Sequence, residues 1–190
     1  MGQKKQVVIL TDGDETAYQA LSEACRDLKC HPLRASEGNP TPLHGDQLIQ
    51  AIMKAPRDPV VVMVDDRGDA GFGPGEKALA ALMESPELEV LGVVAVAANT
   101  HPVKGVKVEQ SVDQSAQVVS HAVNKAGEEV SSNRLRGDTV DTLGSYSGVV
   151  VGLGDPGKMQ GHDRIEKGVP ATRRALEEIL RKAGGRYGRN

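Results

Sequence analysis

The chain has 190 residues, of which 38% are hydrophobic and 26% are charged, a profile typical of one soluble globular domain. Its formal net charge of −3 and its 2% aromatic content argue against a nucleic-acid binder, which needs a basic face and aromatic side chains for stacking. No apolar run approaches the roughly 20 residues that span a bilayer, so we expect any membrane attachment to come through a partner.

Short apolar runs alternate with helical patterns along most of the chain. Strands are predicted at residues 6–11, 60–64, 88–97 and 148–153, with a further short strand at 31–35, and helices at 15–28, 45–55, about 75–84 and 170–183. Continuous apolar strands between helices indicate a parallel sheet that is covered on both faces. We therefore predict a single α/β domain over residues 1–183, a three-layer doubly wound, mostly parallel sheet of Rossmann-like or flavodoxin-like type.

Residues 102–136 break this alternation. Closely spaced valines predict short strands or a hairpin with a turn at residues 113–115, so this segment is interpreted as a small β insertion. Residues 138–145 predict a short helix. The basic residues 184–190 predict a disordered tail.

Four unusual loops follow the predicted strands: residues 11–16 (TDGDET), 65–76 (DDRGDAGFGPGE), 98–101 (ANTH) and 152–163 (GLGDPGKMQGHD). Parallel strands joined by right-handed crossovers place their carboxyl ends at one edge of the sheet, where such folds bind ligands. The ligand-binding residues predicted from these loops are Asp12, Asp14, Asp65, Asp66, Gly73, Gly75, Asn99, His101, Asp155 and Lys158.

Carboxylates that converge at this edge repel one another, so some must be protonated, be hydrogen-bonded or share a cation. Oxygen ligands suit Mg²⁺ or Ca²⁺, and the predicted metal ligands are Asp12, Asp14, Asp65 and Asp155. No other cofactor is indicated. The alternative is that Asp12 or Asp14 only caps the first helix, while the other carboxylates lie in solvated turns.

The glycine-rich loop at residues 68–75 precedes a predicted helix, and its free N–H groups could bind an anion. It lacks the Lys-Ser/Thr ending of a Walker motif, and a tight turn is the alternative. His101 and Lys158 could position an anionic ligand at the same edge.

An enzymatic alternative comes from the stretch DGDET at residues 12–16, which fits the DxDxT motif of haloacid-dehalogenase-like phosphohydrolases. In that family the first Asp attacks phosphorus and the second is the acid/base. Asp155 with Asp163 loosely resembles its late metal-binding motif, and Lys104 and Lys158 are the candidates for its lysine. However, a helical pattern begins at once where that family inserts a flap.

Several motifs, in order along residues 5–183, resemble the AE proteins of the spoVA operon: TDGD (11–14), GNP (38–40), DPVVVMVDD (58–66), GPGE (73–76), EVLGVVAVAANTH (89–101), GDTV (137–140) and GLGDPGKM (152–159). The resemblance implies a soluble sporulation and germination protein with no enzymatic activity and no catalytic residues to carry over. It implies a role in moving dipicolinic acid, with Ca²⁺, into and out of the spore. The expected partners are other spoVA proteins and a small anion such as dipicolinate. The expected location is the spore, peripheral to its inner membrane, after synthesis in the cytoplasm.

Overall fold

Parallel strands alternate with helices in this computed structural model, which describes residues 3–68, 72–99 and 104–187. Its first half contains β1 (Lys5–Leu10), α1 (Glu15–Leu28), β2 (His31–Pro32), α2 (Gly45–Met53), β3 (Val60–Met63), α3 (Pro74–Glu84) and β4 (Leu88–Val96). Its second half contains β5 (Val106–Lys107), β6 (Gln110–Val112), β7 (Val118–Val119), β8 (Arg134–Leu135), β9 (Val150–Leu153) and α4 (Pro170–Tyr187). Short 3₁₀ helices lie at Arg34–Ser36, Val140–Ser145, Met159–Gly161 and Ile165–Lys167.

A seven-stranded sheet with the order β2-β3-β1-β4-β9-β6-β7 runs through the described residues. Neighbouring strands are parallel except β6 and β7, which are antiparallel. The central strand is β4, and its neighbour β1 lies between β3 and β4, where Ile9 aligns with Val62 of β3 and with Val93 of β4. The predicted α/β fold with a mostly parallel sheet is therefore confirmed.

Side chains of the central strands enter two separate cores, because successive side chains in a strand point to opposite faces. Val7 and Ile9 pack on the face that α2 and α3 cover, whereas Val8 and Leu10 pack on the face that α1 and α4 cover. All four side chains are fully buried. Each such burial contributes about 1.5–3 kcal/mol. Because helices cover both faces of the sheet here, the last four residues of β1 are all apolar.

Most of the predicted β insertion packs on the same face as α2 and α3, whereas Val112 of β6 packs on the other face with α1 and α4. Val106, Leu135 and Leu143 belong to the core on the α2 and α3 face, and β5 pairs with β8 in a small antiparallel sheet. Strand β6 joins the main sheet beside β9, and β7 folds back on it. The turn falls where the valine pattern predicts it, since the amides of Ser115 and Gln117 both donate to Asp113 Oδ1 at 2.9 Å.

Helix α1 is capped at both ends. Asp14 Oδ1 accepts a hydrogen bond from the Ala17 amide at 2.8 Å, which is N-cap geometry. At the other end Lys29 is left-handed (φ 59°), and the Cys30 amide donates to the Cys25 carbonyl at 3.0 Å. This Schellman-type ending brings the residues on either side of Lys29 together, and Cys25 and Cys30 are buried free thiols.

We expect Lys29→Gly to raise the free energy of unfolding by roughly 0.5–1 kcal/mol, because glycine adopts left-handed φ without a steric penalty. The Lys29 side chain is exposed, so no buried contact is lost. Lys54→Gly is the matched control, since Lys54 also follows a helix but has φ −85°, where glycine should lower stability. Urea denaturation compares the three proteins, and a loss of stability in Lys29→Gly would contradict this expectation.

Helix α4 is longer than the sequence predicts. It continues beyond Ala183 to Tyr187, so residues 184–187 of the predicted tail are helical. Residues 188–190 lie outside the described residues. Ala175, Leu176 and Ile179 of α4 pack with α1 against the sheet.

After β1 the chain continues on one face of the sheet, and after the neighbouring strand β3 it continues on the other face. Helix α1, which follows β1, packs in the core with α4, whereas α3, which follows β3, packs in the core with α2. The loops after β1 and β3 therefore diverge and leave a crevice at the carboxyl ends of these strands. Open α/β sheets bind their ligands at this position.

Candidate functional site

A small polar pocket of about 110 Å³ lies at the carboxyl edge of the sheet. The loops after β1, β3, β4 and β9 all contribute to its wall. Its charged lining residues are Asp12, Asp14, Asp65, Asp138, Asp155, Lys125 and Lys158. A water molecule takes about 30 Å³ of liquid, and pockets for organic ligands measure roughly 300–1,000 Å³. The pocket therefore has the size for an ion with a few waters rather than for an organic substrate.

Three of the four predicted metal ligands come together in this pocket. Carboxylate oxygens of Asp12, Asp14 and Asp155 lie within 4.8 Å of one another. The first two belong to the loop between β1 and α1, where Asp12 Oδ1 accepts the Asp14 amide at 3.2 Å. Asp155 comes from the loop after β9. Asp14 thus combines the predicted roles of helix cap and member of the acidic cluster.

Lysine side chains counter part of this negative charge. Lys158 Nζ lies 2.6 Å from Asp14 Oδ2 and 3.1 Å from Asp155 Oδ1. Burial acts to lower the pKa of Lys158, but its hydrogen bonds to Asp14 and Asp155 outweigh burial and hold that pKa above its usual value. Lys125 Nζ lies 3.7 Å from the other Asp155 oxygen. Lys158 therefore bridges the two loops that carry the cluster.

Asp12 is a carboxylate that ionises with difficulty, because its pKa is raised well above its ordinary value. Burial, followed by repulsion from Asp14 and then from Asp65 and Asp155, raises its pKa to about 7, although the hydrogen bond from the Asp14 amide opposes the rise. A substantial fraction of Asp12 is therefore protonated at neutral pH. A cation that bound the cluster would have to release this proton.

Asp65, the fourth predicted metal ligand, has a different environment. Its carboxylate accepts the Gly13 amide at 3.0 Å and the Arg67 amide at 2.8 Å. Burial raises its pKa, these two amides oppose the rise, and Asp138 and Asp66 add to it. Asp65 therefore lies in the pocket and joins the β1 and β3 loops, but it is outside the group of three carboxylates.

Asp66, Gly73 and Gly75 do not reach the pocket and serve the start of α3. Asp66 accepts the amides of Gly75 at 2.7 Å and Glu76 at 3.0 Å. The anion at this helix N-terminus is thus the protein's own carboxylate. A Cβ atom at Gly73 would lie 2.2 Å from Asp66 Oδ1, and one at Gly75 would lie 2.6 Å from the Asp65 carbonyl carbon, so both positions require glycine for close packing.

The sequence also predicts site roles for Asn99, His101 and Asp163. Asn99 is exposed and lines a neighbouring pocket of about 430 Å³. His101 lies outside the described residues. Asp163, a candidate for the late acidic motif of a phosphohydrolase, is fully buried and accepts hydrogen bonds from Gly157 and from Ala171 and Thr172 at the start of α4. Its oxygens therefore cap a helix.

The sequence interpretation missed four polar residues that line the small pocket: Thr11, Asn39, Lys125 and Asp138. Two of them carried a usable signal, because Thr11 directly follows β1 and Asn39 lies in the Gly-Asn-Pro turn after β2, at the same edge. Thr11 Oγ1 accepts the Val96 amide at 2.9 Å and thereby joins β1 to β4. Lys125 and Asp138 come from the insertion and the segment after it, whose position no sequence pattern indicated.

A protein-family model matches most of the chain. The family model described as stage V sporulation protein AE1 matches residues 6–183. Searches of the curated proteins and of the solved structures each found no match. Within the described residues, no helix has the length and apolarity needed to cross a membrane. Since the match extends over nearly the whole sequence, including every loop of the pocket, the chain belongs to the SpoVAE family of sporulation proteins.

Proposed function

We propose that this chain is a non-enzymatic sporulation protein that assists the uptake or release of dipicolinic acid with Ca²⁺ at the spore inner membrane, through other spoVA proteins. Family membership supports the role in sporulation. The motif resemblance to AE proteins of the spoVA operon supports the link to dipicolinate. The observation that carries the link to Ca²⁺ is the group of three carboxylates at the sheet edge.

The chemistry of this group fits a hard divalent cation. Asp12, Asp14 and Asp155 offer carboxylate oxygens, the ligands that Ca²⁺ and Mg²⁺ prefer, and the pocket has room for waters that complete the coordination. Binding would displace the Lys158 ammonium from between Asp14 and Asp155 and the proton from Asp12. A divalent cation would thus replace two single positive charges, the ammonium group of Lys158 and the proton of Asp12.

The alternative of a Mg²⁺-dependent phosphohydrolase using Asp12 and Asp14 has no support from the family match. Asp14 caps α1 and binds Lys158, and Asp163 caps α4. The volume of the pocket, about 110 Å³, is also small for a phosphate ester. We therefore retain the non-enzymatic role.

Spores that lack this chain are expected to contain less dipicolinate, or to release it more slowly on germination, than spores of the parent strain. The wild-type gene should restore both properties, whereas Asp155→Asn should restore them only in part, because the cation site loses the carboxylate that Lys125 and Lys158 contact. Asp46→Asn, a change at an exposed carboxylate of α2, is the matched control. Dipicolinate fluorescence with terbium measures content and release, and normal values without the chain would contradict the proposal.

A further inference from the structure

A second and larger pocket adjoins the carboxylate pocket on the side of the insertion. Its volume is about 430 Å³. Its cationic lining residues are Lys104, Lys125, Arg134 and Arg136, and no carboxylate belongs to its lining among the described residues. This basic pocket, defined by these four side chains, is therefore opposite in charge to its neighbour.

Most of this positive charge is available to a ligand. Arg134 Nη1 donates to the carbonyls of Lys104 at 3.4 Å and Gly105 at 3.1 Å, and these contacts orient the guanidinium group. Because both acceptors are neutral, the positive charge of Arg134 stays uncompensated. Lys125 is paired only loosely, at 3.7 Å from Asp155. The side chains of Lys104 and Arg136 form no ion pair with any residue in the described part of the chain.

The remaining wall restricts the kind of anion that fits. Ala97, Val123 and Val130 line the same pocket, so its ligand meets apolar surface as well as charge. A strongly hydrated inorganic ion would gain nothing from these contacts, whereas an organic anion would bury its carbon skeleton against them. Four cations favour a ligand with at least two negative groups. The volume lies in the range of pockets for small organic ligands.

We propose that the basic pocket binds a small organic dicarboxylate with an apolar body. The choice of an aromatic dicarboxylate as this ligand rests on the proposed function. Lys125 lines both pockets and contacts Asp155, so it connects the two sites. A cation at the carboxylates would release Lys125 from Asp155 and leave it to the anion. By thermodynamic linkage, each ligand then raises the affinity of the other.

Isothermal titration calorimetry of the full chain with pyridine-2,6-dicarboxylate tests this proposal, with benzoate and inorganic phosphate as comparison probes. Wild-type protein is expected to bind the dicarboxylate at least about tenfold more tightly than either comparison probe, and more tightly still with Ca²⁺ present. Lys104→Gln/Arg136→Gln should weaken binding at least about tenfold, at about 1.4 kcal/mol per factor of ten. Lys54→Gln/Arg57→Gln removes the same charge from exposed residues elsewhere and should bind as the wild type does.

Absence of binding to the wild type, equal affinity in the pocket variant, or equal affinity for benzoate or phosphate would each overturn the proposal. A thermal melt of each variant shows whether the fold is retained, and the single change Lys104→Gln, at an exposed position, repeats the test if the double variant melts early. Failure here is distinguishable from failure of the proposed function. Normal dipicolinate handling by spores that lack the chain would overturn that function but leave a measured affinity and its loss in the variant intact.

Discussion

As the pH rises from about 4 to about 7.5, the free energy of unfolding of Asp12→Asn relative to that of the wild-type protein is expected to increase by about 3 kcal/mol. Burial and the repulsion of Asp14 raise the pKa of Asp12 from 3.8 to about 7 in the folded chain. The folded state therefore binds more protons than the unfolded state within this window, and the wild type loses stability as the pH rises through it. Asparagine stays neutral, and its oxygen can still accept the Asp14 amide.

Urea unfolding at several pH values between about 4 and 8 measures this difference. Asp46→Asn, at an exposed position, should follow the wild-type pH dependence throughout. Ca²⁺ should reduce the advantage of Asp12→Asn at high pH if it binds the three carboxylates, because a bound cation stabilises the ionised form. A constant difference between Asp12→Asn and the wild type at every pH would show that Asp12 ionises normally.

The edge of the sheet at which the acidic loops meet could be predicted, because parallel strands leave little choice about where their carboxyl ends lie. The role of each side chain within that edge could not. Asp65 and Asp66 are neighbours, yet Asp65 accepts the Gly13 amide in the pocket, whereas Asp66 accepts the Gly75 amide at the start of α3. Successive side chains at a strand end point in opposite directions, so only one of the two could face the crevice.

The glycine-rich loop shows a related limit of sequence analysis. Glycines before a helix are equally compatible with binding an external anion and with accepting the protein's own carboxylate. Here Gly73 and Gly75 approach Asp66 and Asp65 so closely that no Cβ atom fits. The pattern identifies a place where backbone amides bind an anion, but it does not show whether that anion is an external ligand or a carboxylate of the protein.

The contribution of the insertion to the two pockets could not be predicted from the sequence, for a different reason. Strands β5, β7 and β8 have two residues each and β6 has three, too few to show a hydrophobic period. Gln110 pairs with Val151 across a long stretch of sequence, which no local signal encodes. Lys125 is likewise held beside Asp155 by a contact between distant parts of the sequence, since the Asp155 amide donates to the Lys125 carbonyl at 2.9 Å.

Asp163→Ala is expected to lower the free energy of unfolding by about 3 kcal/mol. Asp163 is fully buried and accepts four hydrogen bonds: from the amides of Gly157 at 2.9 Å, Ala171 at 2.8 Å and Thr172 at 3.1 Å, and from Thr172 Oγ1 at 2.5 Å. Alanine removes the cap of α4, which is typically worth about 1 kcal/mol. It also leaves buried donors without a partner, at about 1–3 kcal/mol each before relaxation.

Urea denaturation at neutral pH measures this loss as a lower midpoint with an unchanged slope. Asp163→Asn, which keeps the size and one acceptor oxygen, should lose less, and Glu166→Ala at a nearby exposed position should lose almost nothing. The Gly157 amide lies between Asp155 and Lys158, so the same carboxylate that caps α4 also holds the loop that supplies both residues to the pocket. If Asp163→Ala kept its stability to within about 0.5 kcal/mol, the order of this loop would have to come from the Lys158 bridge instead.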